Sequence, residues 1–143
     1  MISRFDVSSI PGSASVVSAK LDLTFESWTG PQTLLGNFLR TPWSLDAPNL
    51  GWTSGGAGFD WTVPGGGPGD MTGVPFELSG LDASGYQHKS VALDAEGVQA
   101  WVSDAGSNHG VLLENQGSGS VLRIFSNETA ELGRRPTLSI TYL

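Results

Sequence analysis

Apolar residues recur at every second position in two stretches of this chain. Val17, Ala19, Leu21, Leu23 and Phe25 alternate with Ser18, Lys20, Asp22 and Thr24. Near the other end, Leu138, Ile140 and Tyr142 alternate with Thr137, Ser139 and Thr141. Successive side chains of a strand point to opposite faces, so each stretch predicts a strand with one buried and one wet face. Further runs predict strands over residues 2–7, 33–40, 73–79, 87–93, 110–115 and 120–126. Gln116-Gly117-Ser118-Gly119-Ser120 reads as a hairpin turn, because glycine reaches positive φ without penalty. Helical spacing occurs once: with Asp94 as N-cap, Val98, Trp101 and Val102 share one face at i, i+3, i+4. About eight strands and one helical turn predict an all-β fold. The expected architecture is an antiparallel β-sandwich of jelly-roll type, spanning residues 1–143 as one domain. Phe5, Leu21, Leu23, Trp101, Phe125, Leu138 and Ile140 are its expected core residues.

The stretch from Pro42 to Gly73 follows neither period. It holds three of the five tryptophans, Trp43, Trp52 and Trp61, with Gly55-Gly56 and Pro64-Gly65-Gly66-Gly67-Pro68-Gly69. Loops of this length are usually functional or disordered. Tryptophan argues against disorder, since each ring buries a large area. The expectation is a loop pinned by its indoles over one edge or face of a sheet.

Charge narrows the range of partners. Seven basic against fourteen acidic residues give a net charge of −7. That balance works against nucleic acid, whose binding rests on phosphate neutralisation, and against anionic membrane surfaces. Cysteine is absent, which removes disulfides and thiolate metal sites. No apolar run approaches the length of a membrane helix. The first residues lack a basic stretch leading into an apolar one, so no signal peptide is expected in this chain.

Candidate chemistry is sparse. Nucleophilic hydrolysis needs an activated Ser or Cys beside a base, and His88 and His109 are the sole imidazoles. His109 sits in an Asn-His-Gly turn and His88 at a strand start; both read as turn or surface residues. Asp46, Asp60, Asp70 and Asp82 supply carboxylates, but their spacing singles out no acid–base pair. Loop carboxylates and carbonyls suit calcium, so Asp46, Asp60 and Asp70 are weak calcium candidates, although no D-x-D-x-D-G string is present. No other cofactor is expected. Exposed indole and phenol rings can pack on the apolar faces of sugars. Trp28, Trp43, Trp61 and Tyr86 are therefore the candidate glycan contacts, with packing inside the loops as the competing role of each.

Several segments stand together in a recognisable order. They are Arg4-Phe5-Asp6-Val7-Ser8-Ser9-Ile10-Pro11, Val98-Gln99-Ala100-Trp101-Val102 and Asn108-His109-Gly110-Val111-Leu112-Leu113. Phe125-Ser126-Asn127-Glu128 and Arg135-Pro136-Thr137-Leu138-Ser139-Ile140-Thr141-Tyr142 follow. Gly51-Trp52-Thr53 and Asp60-Trp61-Thr62-Val63-Pro64-Gly65-Gly66 add loop matches. The set resembles the DNRLRE domain family, all-β modules of extracellular and surface proteins, some relatives of which are carbohydrate-binding modules. Members usually carry a leader before the Arg-Phe-Asp strand, whereas Met1 stands three residues before Arg4. A missing front strand would bare a sheet edge, which implies cover by a neighbouring subunit. The expected function is a non-catalytic structural or adhesive subunit of a surface assembly, foremost a phage virion component such as a capsid decoration or tail protein. Its partners would be other protein subunits and surface glycans, and its location the virion or the extracellular surface. The alternative is a carbohydrate-binding module fragment of a secreted polysaccharide-degrading enzyme.

Overall fold

A computed structural model describes residues 1–28, 32–44, 50–51, 53–56, 58–81, 86–117 and 121–143, with the backbone alone for Ser27 and Trp28. The chain is an all-β sandwich of antiparallel strands, with one α-helix among the described residues. In order, its elements are β1 (Ile2–Ser3), β2 (Val16–Trp28), β3 (Gln32–Leu39), β4 (Ser54–Gly56), β5 (Phe59–Asp60), β6 (Met71–Leu81) and β7 (Gln87–Leu93). Helix α1 (Ala95–Ser103), β8 (Val111–Asn115), β9 (Leu122–Ile124) and β10 (Thr137–Tyr142) complete it.

Pairing is nested. β1 pairs with β8, β2 with β7 and β3 with β6, as along one long hairpin. Rolling that hairpin brings β8 against β3 as well, which is the jelly-roll arrangement. One sheet runs β1-β8-β3-β6 and the other β10-β2-β7. β9 follows β10 along the same side of β2, opposite β7.

The core lies between the sheets. β2 contributes Leu21, Leu23 and Phe25, which are at most 1% exposed, as its alternation requires. Helix α1 adds Val98, Trp101 and Val102, its three buried residues. Asp94 caps the helix, accepting from the Gly97 amide at 3.1 Å. Trp101 packs on Phe38 with ring centroids 5.1 Å apart. Gly97 permits this approach, since a Cβ there would stand 2.9 Å from the Phe38 ring.

Three local expectations need correction. Val17 is 54% exposed, and Val16 packs on the core in its place. The β10–β2 register shifts between Thr141 and Tyr142, so that Tyr142 pairs with Val16, and such a bulge reverses which residues face inward. The first strand ends at Ser3 rather than at residue 7. Beyond it, Asn108 donates from Nδ2 to the Phe5 carbonyl and draws the chain out of the ladder. Phe5, Phe125, Leu138 and Ile140 are half-buried, because they line the side of the sandwich that β1 is too short to close. The tip of the expected turn at residues 116–120 lies outside the described residues.

Candidate interaction surfaces

The irregular segment is a wall of the molecule. Leu112 alternates with Val111 and Leu113 and so faces away from the core, yet all three are buried. Trp43, Trp61 and Leu39 form a second apolar cluster with it. Trp43 donates its ring N–H to the His109 carbonyl at 2.6 Å, and Trp61 donates to the Gly51 carbonyl at 3.0 Å. Both indoles are less than a tenth exposed, so their faces serve packing.

Asp70 fastens this wall. Its side chain is fully buried and accepts four hydrogen bonds. Thr41 donates its hydroxyl to Oδ1 at 2.6 Å. Oδ2 receives the Thr62 hydroxyl at 2.6 Å, the Thr62 amide at 2.9 Å and the Gly67 amide at 2.9 Å. Burial opposes ionisation of Asp70, but these donors outweigh it and hold the carboxyl below its usual range. Oδ2 is thus taken up by three donors and Oδ1 by one. Asp60, by contrast, is exposed on β5. Asp46 and Asp82 lie outside the described residues. Among the described residues no group of three or more His, Asp or Glu side chains comes together in a way that could hold a metal ion.

Tyr86 is the glycan candidate with an accessible ring, at 56% exposure. The Arg134 guanidinium stacks 3.8 Å from its centroid, and Phe125 lies 5.7 Å away. Glu131 holds Arg134 in turn, with Nε 2.9 Å from a carboxylate oxygen. His88 shares a hydrogen bond of 2.9 Å with the Thr24 hydroxyl, a consequence of their cross-strand pairing. The side chain of Trp28, and all of Trp52, lie outside the described residues.

A cleft of about 440 Å³ opens between the start of α1 and the ends of β3 and β6. Leu39 and Trp101 give it an apolar floor, with Arg40, Glu96 and His109 around the rim. The His109 pKa is lowered, first by burial and then by the nearby Arg4 charge. Thr72 and Ser107 also line the cleft, and the Ser107 hydroxyl lies 3.0 and 2.8 Å from the Ala100 and Asp104 carbonyl oxygens, turned to the backbone.

A further feature is a corner where β10 ends against the start of β2. Ser15 and Leu143 exchange backbone hydrogen bonds there. Val17, Tyr142 and Leu143 are 54%, 43% and 89% exposed. Beside them runs a groove of about 310 Å³ lined by Asp6 and Ser9 together with Phe5, Val7, Ile10, Leu138, Ile140 and Tyr142. The alternation that revealed β10 contained this surface too, but not the fact that, among the described residues, the strand's backbone bonds run to β2 alone. No protein-family model, curated protein or solved structure matches the chain.

Proposed function

We propose that this chain is a non-catalytic structural or adhesive subunit of a surface assembly, such as a capsid decoration or tail protein of a virion. The observation that carries the reading is the exposed apolar corner where β10 ends against the start of β2. Exposed Val17, Tyr142 and Leu143 beside half-buried Leu138 and Ile140 suit contact with protein. The Trp-rich wall supports the same reading, because Asp70 and two buried indoles give rigidity rather than an open reactive cleft. On this proposal the chain is a DNRLRE-like module that works by contact, without a required cofactor.

Tyr86 favours a second reading, a carbohydrate-binding module, since its accessible ring is held in place by Arg134 and Phe125. Density-gradient purification of particles from a producing culture, with quantitative mass spectrometry, tests the first reading. The chain should band with capsid or tail proteins at constant stoichiometry. Recovery only among free soluble proteins would refute it. Retention on immobilised polysaccharide, lost in Tyr86→Ala, would favour the second.

A further inference from the structure

We infer that two copies of this chain pair through β10, antiparallel and edge to edge, to form one continuous sheet β7-β2-β10-β10-β2-β7. The inference deepens the proposed role in an assembly and rests on it, by naming the surface and the partner.

The argument begins with how the edges differ. Exposed edge strands template pairing with other chains, and proteins blunt them with brevity, proline, bulges or inward-pointing charge. β1 has two residues. β6 carries Pro75, left-handed glycines at Gly73 and Gly80, and register shifts against β3. β7 places Lys89, half-buried, on the same side as Val91 and Leu93. β10 reads Thr-Leu-Ser-Ile-Thr-Tyr, with no charge, proline or glycine, and its register shift against β2 falls at its very end, between Thr141 and Tyr142. Among the described residues its backbone bonds run to β2 alone, and Leu143 continues them to Ser15. Alternate amides and carbonyls of such a strand point away from its single neighbour.

The strand is also complementary to itself. Antiparallel pairing about Ile140 sets Leu138 opposite Tyr142 of the second copy, Ile140 opposite Ile140, and Ser139 opposite Thr141. Apolar residues meet apolar ones on the groove side and hydroxyls meet hydroxyls outside, both favourable cross-strand combinations. No like charges are brought face to face on the strand. The two grooves beside β10 then adjoin across the axis, and Tyr142 gains cover from the partner's Leu138. An edge of six residues buries less than the roughly 1,200 Å² of a standard stable interface. The pair therefore needs a high protein concentration or a crowded array to form.

Sedimentation equilibrium from about 10 µM to 1 mM tests this, with residue-resolved amide exchange at both ends of the range. Dimer formation is expected, with new protection at alternate amides of residues 137–142. The double variant Ser139→Glu and Thr141→Glu places like charges opposite each other across the axis. It should weaken association at least tenfold, while each glutamate stays at an exposed position. Ala92→Glu, exposed on the β7 edge, should leave association unchanged. A monomer at 1 mM, or association insensitive to the β10 variant, or equal sensitivity to Ala92→Glu, would overturn the inference. Particle banding separates the two claims. Undiminished incorporation of the double variant sinks edge pairing alone, whereas absence of the wild-type chain from particles sinks the assembly role.

Discussion

Replacing Asp70 probes how the irregular segment is held. Asp70→Ala removes the acceptor of two hydroxyls and two backbone amides. The Thr41 and Thr62 hydroxyls can rotate towards other acceptors, but the Thr62 and Gly67 amides cannot. Each buried donor left unpaired costs about 1–3 kcal/mol, so the loss comes to about 4 kcal/mol. Against a typical total of about 5–15 kcal/mol that is a large fraction. At this chain length it corresponds to a fall in Tm of about 12 °C. Asp70→Asn keeps an oxygen in the Oδ2 position for three donors and turns its nitrogen towards the Thr41 oxygen, which can accept. It loses only charge assistance, about 1–2 kcal/mol. Urea unfolding followed by tryptophan fluorescence reads both variants, since Trp43 and Trp61 lie in the affected wall. The effect depends on pH with a definite sign. Asp70 has a lowered folded pKa, so its stabilisation is complete above the unfolded value, about 3.9, and is lost as pH falls through the folded value. The gap between wild type and Asp70→Asn should therefore narrow below about pH 4. An alanine variant within about 1 kcal/mol of wild type, or a gap that widens in acid, would refute the reasoning.

Gly110→Ala should cost at least about 3 kcal/mol, because Gly110 has φ +75° and a Cβ would meet the Ser3 carbonyl oxygen, which is backbone and cannot yield. Thermal unfolding by circular dichroism checks this. Asp94→Ala should lower stability by about 1 kcal/mol through loss of the α1 cap, whereas Asp94→Asn should retain most of it, in the same assay. Tyr86→Ala should change Tm little, since the ring is mostly exposed, while releasing Arg134 from its stack; a large fall in Tm would show that the cluster is structural.

Much of the architecture was legible in the sequence because alternation is a local property. The period-two runs gave β2 and β10, and the Asp94 cap with Val98, Trp101 and Val102 gave α1, because a cap and one helical face fall within a few residues. Parity failed at Val17. A bulge changes which residues face inward, and that shift depends on the β10–β2 register, which no local pattern encodes. The candidate site was legible in composition but not in placement. Trp43, Trp61 and Tyr86 are alike as aromatic loop residues, yet two are buried and one is open. Packing on Leu112 and Leu39 made that distinction, through contacts between segments distant in sequence.

What the sequence determined alone was therefore the sandwich class, the helix, its cap and the absence of a cysteine or nucleophile–base motif. The tertiary structure decided the role of Asp70, which four donors from three separate positions turn into a buried anchor. It also decided which edge lies bare. Alternation defines the two faces of a strand, but whether a strand has one neighbour or two depends on the order in which the whole chain rolls up, and among the described residues that order pairs β10 with β2 alone.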